Sequence, residues 1–176
     1  TDVPITDSNF SAAITACLAT NPANGLCYAS GYGSMPDWDV SNVTDMSNAF
    51  KDKTSFNADL SSWDTSSVTN MSSMFEGATS IASVSLPETG AVQNMSSMFR
   101  GATSIESVSL PKTGAVQNMS FMFKGATSLT SVSLPETGNV TSMEGMFESA
   151  AALTSVSLPK TGNVTSMLNM FRSATK

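Results

Sequence analysis

A repeat period of about 24 residues is the feature that most limits what this chain can fold into. Phe50, Phe75, Phe99, Phe123, Phe147 and Phe171 are separated by 25 residues once and by 24 four times. Val43, Val68, Val92, Val116, Val140 and Val164 keep the same step, as do Met46, Met71, Met95, Met119, Met143 and Met167. With Met74, Met98, Met122, Met146 and Met170, eleven of the twelve methionines fall in two columns. A unit this short cannot bury an apolar face alone, so the array must form its core by stacking each unit on the next.

One unit reads SIESVSLPKTGAVQNMSFMF. Val108 and Leu110 alternate with Ser107 and Ser109, the pattern of a short half-buried strand. Pro111 has no N–H to donate and ends the strand, and Gly114 turns the chain. Val116, Met119, Met122 and Phe123 then recur at three and four residues, which predicts a helical or 3₁₀ piece. Ala126 and Leu129 close the unit. The expected fold is a mixed α/β repeat solenoid with one short parallel strand per unit.

Ahead of the array, Phe10, Ala13, Ile14, Cys17 and Leu18 share one helix face. Asp7 or Ser8 can cap that helix, and Asn21-Pro22 ends it. Residues 1–35 are therefore expected to form a capping segment, and residues 36–176 about six repeats, the last incomplete. Nine residues separate Cys17 from Cys27, across turn-forming Asn-Pro and Asn-Gly pairs. They read either as a disulfide closing this loop, which implies an oxidising compartment, or as two buried thiols. No matching cap follows the last unit, so Val164, Met167, Met170 and Phe171 are expected on a face awaiting a protein partner, a second copy or further chain. The start at Thr1, with no basic-then-apolar leader, reads as a processed or trimmed chain.

Composition excludes several functions. The chain has 8 basic and 14 acidic residues and a net charge of −6, with no basic stripe for nucleic acid. It contains no His and two Cys, so neither a zinc site of ordinary ligands nor a Ser-His or Cys-His pair can form. No cofactor is implied. No apolar run approaches the roughly 18 residues of a membrane span. Asp37 with Asp39 and Asp59 with Asp64 are the close carboxylate pairs. Asp39 and Asp64 recur beside Trp38 and Trp63, which marks them as turn and packing residues rather than a glycosidase pair. An enzyme is not expected.

Charge also repeats. The residue after the strand proline is Glu88, Lys112, Glu136 and Lys160 in turn, and the residue after the repeat phenylalanine is Glu76, Arg100, Lys124, Glu148 and Arg172. Opposite charges in neighbouring units, roughly 4.8 Å apart, would resist slippage by one unit. Drift at a tolerant surface position would give the same columns.

The unit L-x-x-V-x-L-P-x-x-G-x-V-x-x-M-x-x-M-F-x-x-A-x-x-L resembles the BspA-like leucine-rich repeat, over residues 36–176. FNADLSSWDTSSVTNMSSMF and PDWDVSNVTDMSNAF resemble its Trp-Asp variant, and ITDSNF the segment that precedes such repeats. Met departs from Leu at many core positions, and Ala49 stands where later units have Met. The resemblance implies a right-handed leucine-rich-repeat coil in a secreted or surface-attached binding or adhesion protein.

Two surface features suit that reading. Ser83, Ser107, Ser131 and Ser155, with Ser85, Ser109, Ser133 and Ser157, would form a hydroxyl strip for protein or glycan, or merely a solvated sheet face. Asn9, Asn42, Asn70, Asn94, Asn118, Asn139 and Asn163 head Asn-x-Ser/Thr sequons, which accept N-glycan in a secreted protein or reflect duplication of a Ser- and Thr-rich unit. A structural subunit of an extracellular or organellar assembly is the alternative function, and an ice- or crystal-binding surface a minor one.

Overall fold

The structure is a computed structural model and describes residues 3–134, 136–158 and 160–175; the outermost positions of the capping segment and of the array lie outside them. Helix α1 spans Phe10–Thr20 and buries Phe10, Ala13, Ile14, Cys17 and Leu18. It stops at Asn21, whose backbone is extended, because the ring of Pro22 disfavours a helical residue before it. The capping expectation is corrected. Asn9 is the N-cap and makes no side-chain capping bond. Its Oδ1 accepts from the Thr6 N–H, and its Nδ2 donates to the Pro4 carbonyl. Cys17 and Cys27 are joined by a disulfide, which ties α1 to the loop leading into the 3₁₀ turn Met35–Asp37.

Four strands follow: β1 (Ser83–Ser85), β2 (Ser107–Ser109), β3 (Ser131–Ser133) and β4 (Ser155–Ser157). β1 pairs in parallel with β2, Ser83 opposite Ser107, and β3 with β4, Ser131 opposite Ser155. The expectation of a strand in every unit fails for the first two. Counted back from the repeat valine, the place of Ser-Val-Ser-Leu-Pro is held by Ser34–Trp38 in the first unit, where the chain makes the 3₁₀ turn Met35–Asp37, and by Asp59–Trp63 in the second. The Asp59 carboxylate accepts the Ser61 N–H and bends the chain there instead of extending it; Asp39 and Asp64 stand in the column of Glu88 and accept the N–H groups of Ser41 and Ser66.

The Met-x-x-Met-Phe segments are not helical, which corrects the second expectation. The N–H groups of Met71, Ser73, Phe75 and Gly77 donate to the carbonyls of Asn94, Ser96, Met98 and Arg100, at 2.8–2.9 Å. Between them, Met74, Glu76 and Ala78 donate to the carbonyl three residues back. Alternate amides thus leave the unit, whereas an α-helix keeps every one inside. The segment is a run of overlapping turns, with Ser73, Ser97, Phe121, Gly145 and Asn169 at φ between 55° and 58°. Both arrangements return every third or fourth side chain to one face, so the apolar spacing alone did not separate them.

These turns carry a parallel ladder linking Asp45, Asn70, Asn94, Asn118, Ser142 and Ser166 in succession. Inside it, Phe50, Phe75, Phe99, Phe123, Phe147 and Phe171 stack with centroids 5.4–5.6 Å apart and ring planes within 10° of parallel. Phe10, Trp38 and Phe50 pack around Trp63 beside α1. A third column was not singled out in the sequence. Thr65, Thr89, Thr113 and Thr137 are fully buried, and each Oγ1 donates to a carbonyl of the next unit, Glu88, Lys112, Glu136 and Lys160 respectively. The short side chain of Thr is what fits a hydroxyl into a buried column without leaving it unpaired.

Candidate functional site

The strands alternate by two, so their middle valines turn toward the core. Ser83, Ser85, Ser107, Ser109, Ser131, Ser133, Ser155 and Ser157 are all exposed. Among the described residues the strands that carry them are not hydrogen-bonded into a single sheet but into two separate pairs, β1–β2 and β3–β4. Backbone bonds join Glu106 to Ala82 and Thr154 to Thr130, but Glu106 and Thr130 share no such bond among the described residues. The hydroxyl face rests on two hydrogen-bonded pairs, with β2 next to β3, held in one frame by the continuous ladder on the turns. At the β1 end lies a cleft of about 280 Å³, lined by Asn57, Asp59, Leu60, Ile81, Ser83 and Ser85 among others. It sits where the preceding unit lacks a strand.

The charge columns pair partly as expected. Glu76 is held by Lys51 at 3.2 Å and Arg100 at 3.7 Å, and Glu148 by Lys124 at 2.8 Å and Arg172 at 3.9 Å. Each of these two carboxylates therefore clamps the units on either side, which accommodates the like-charged step from Arg100 to Lys124. Burial alone would raise the Glu76 carboxyl, but hydrogen bonds from Ser73 and Lys51, with the charges of Lys51 and Arg100, bring it below the ordinary value. The Lys124 hydrogen bond foremost lowers Glu148. In the other column Lys112 pairs with Glu88 at 2.7 Å. Glu136 and Lys160 form no ion pair among the described residues, so register by alternating charge operates there at one step only.

The sequon asparagines fall into distinct settings. Asn70, Asn94 and Asn118 are half-buried, and each Oδ1 accepts the N–H two residues on, from Ser72, Ser96 and Ser120. Asn139 and Asn163 are exposed, and their Nδ2 groups donate to the Gly114 and Gly138 carbonyls of the preceding unit. Asn42 is exposed, and Asn9 is half-buried in the bonds described above.

Near the N-terminal helix, Asp7 takes the place that a neighbouring unit's carbonyl holds elsewhere in the array. Along one column the N–H of Thr69 donates to Thr44, that of Gln93 to Thr69, and so on to Thr165. Thr44 has no earlier unit to bond. Its N–H and hydroxyl donate instead to the Asp7 carboxylate at 2.7 and 2.6 Å, and the Asp45 N–H joins them. The Thr44 hydroxyl above all lowers the Asp7 carboxyl below its ordinary value. At the other end, Met167 is 45 % and Phe171 51 % exposed, and Val164 is half-buried. Met170 is buried at 7 %, so it does not belong to that face. Leu168, 63 % exposed, was not anticipated, because its equivalents in earlier units are Ser or Glu.

Among solved structures, the chain is similar to the crystal structure of a T. pallidum leucine-rich-repeat protein. The two are 25% identical, with a TM-score of 0.52, over 67% of this chain and 53% of that one; the chain thus spans about half the length of that protein. A weaker likeness joins it to the Toll–Spatzle complex of Drosophila, at 14% identity and a TM-score of 0.39, over 64% of this chain and 18% of that one. No curated protein matches the sequence. The parallel strands, few helices and stacked units described above agree with a leucine-rich-repeat-like fold. A family model described as a Mycoplasma protein of unknown function, DUF285, matches residues 29–132 and 93–176, and the chain belongs to that family.

Proposed function

We propose that this chain is a non-enzymatic interaction module. It is read as a right-handed solenoid of Trp-Asp-type BspA-like repeats capped by residues 1–35, which binds protein or glycan outside the cell. The exposed serine face carries the reading. It presents evenly registered hydroxyls on a frame fixed by the turn ladder, and it opens into the cleft between Asn57 and Ser85. The disulfide between Cys17 and Cys27 suits an oxidising compartment, and no helix of the described residues is long and apolar enough to cross a membrane. Asn42, exposed and clear of the inter-unit bonds, is the sequon best suited to carry glycan.

The test is binding of the purified chain to intact cells and to immobilised extracellular proteins and glycans. Replacing Ser85, Ser109 and Ser133 with Arg should abolish that binding while leaving the melting curve in place. Undiminished binding by a folded triple variant would remove the serine face as the site. A second reading, a subunit of a larger assembly, is favoured by the exposure of Met167, Leu168 and Phe171 on the last unit.

A further inference from the structure

The negative charge of the chain is unevenly placed. The first 50 residues contain five Asp and neither Lys nor Arg, and every ion pair among the described residues lies at Lys51 or beyond. Within this acidic segment a cleft of about 510 Å³ is lined by Tyr28, Tyr32, Ser34, Asp37, Trp38 and Asp39, among others. Tyr28 is 74 % exposed, far more than a packing role requires. Tyr32 meets Trp38 edge to face at 6.3 Å, and Trp38 is fixed from behind by stacking on Trp63. Ser34 lines the same cleft, is only 5 % exposed, and its Oγ has no hydrogen-bond partner among the described residues. A buried hydroxyl left unpaired is costly and calls for a partner.

We propose that this cleft binds an organic cation, the ammonium or guanidinium end of a small amine or of a Lys or Arg side chain. Asp37 and Asp39 attract positive charge and repel anions, and no Lys or Arg occurs in the first 50 residues. The π faces of aromatic rings attract alkylammonium and guanidinium groups; Tyr28 and Tyr32 line the cleft beside the carboxylates, and the unpaired Ser34 Oγ lies in its wall. One Asp39 oxygen is engaged by Ser41, which fixes the carboxylate and leaves its second oxygen for the cation. The cleft shares no lining residue with the serine face, so it stands or falls independently of the function proposed above.

The test is an amide and indole NMR titration of the full chain with N-acetyl-lysine methylamide and N-acetyl-arginine methylamide. The uncharged Nε-acetylated lysine derivative is the control, and butylammonium represents a free amine. The cationic probes should shift the Trp38 indole and the amides of residues 33–39, and weaken as salt rises. In the Asp37→Asn/Asp39→Asn variant, which keeps an acceptor for Ser41, affinity should fall by about tenfold or more. Tighter binding by the lysine derivative than by butylammonium supports a side chain as the source, and equal binding supports a free amine. Shifts of equal size from the uncharged control, an undiminished affinity in the double Asn variant, or no shift from any cationic probe would each overturn the proposal.

Discussion

Phe121 and Gly145 exchange bulk across a unit boundary. Their column holds Ser in two earlier units, yet here a large side chain sits at φ 58°, a conformation bulky residues rarely adopt. A Cβ added at Gly145 would lie 2.5 Å from the Phe121 ring, so the phenylalanine of one unit requires the glycine of the next. Ser73 and Ser97 occupy the same left-handed conformation, so a serine at 145 fails by collision and not by backbone. Gly145→Ser should destabilise by about 1–3 kcal/mol, and Phe121→Ser/Gly145→Ser should recover most of it in a denaturation cycle. Additive losses would show that the two residues are uncoupled. Asp7 offers a second check at this scale. Asp7→Ala removes three acceptor contacts to Thr44 and Asp45 and should cost about 1–2 kcal/mol, toward the low end because the group is exposed. Since folding lowers the Asp7 carboxyl, its contribution is full above the unfolded value near 3.8 and fades as pH falls through the folded one. The parent and Asp7→Ala stability curves should therefore converge in acid. The sequence allowed Asp7 as a helix cap, a local role; its actual partner lies 37 residues away, where no local pattern points.

The elements divide sharply in how much they could be read from sequence. The strands were legible because alternation by two has one structural meaning here, and α1 because five apolar residues at three- and four-residue steps lie between Asn9 and Asn21. The turn segments were not, since their side-chain spacing mimics a helix while the left-handed residues that define them are Ser, Phe, Gly and Asn in different units. The missing strands of the first two units follow from the 3₁₀ turn at Met35–Asp37 and from the Asp59 carboxylate that bends the backbone, in stretches that lack the Ser-Val-Ser alternation of later units. Packing tests the arrangement directly. Phe123 is fully buried and stacks on both neighbours, so Phe123→Ala should cost about 3–5 kcal/mol, whereas Ser131→Ala, on the exposed face, should stay within about 0.5 kcal/mol. Equal losses in chemical denaturation would invert the inside and outside of the unit. Thr113→Val, which keeps shape and removes the hydroxyl bonded to Glu136, should fall between them at about 1 kcal/mol.

Over the whole molecule, charge runs from one end to the other. The first 50 residues hold five Asp and neither Lys nor Arg, and neither Asp nor Glu follows Glu148, while Lys160, Arg172 and Lys176 do. The side of the last unit that another 24 residues of an array would cover exposes Met167, Leu168 and Phe171, with Arg172 beside them. An apolar patch flanked by positive charge fits an acidic surface with apolar residues of its own, and the cap has Leu26 at 43 % and Tyr28 at 74 % exposure. The reading of the chain as a subunit of a larger assembly predicts head-to-tail contact between copies, which, because the two faces differ, can propagate rather than close. Its strength should fall with rising salt, since exposed charges are screened over about 10 Å at 0.1 M. Light scattering across a concentration series measures it. Met167→Asp/Leu168→Asp should return the mass to that of one chain while the melting transition persists, because neither side chain is buried. A parent chain that stays at single-chain mass at the highest concentration, in low salt, would rule out self-association through this end and leave the serine face as the surface through which the array meets its partners.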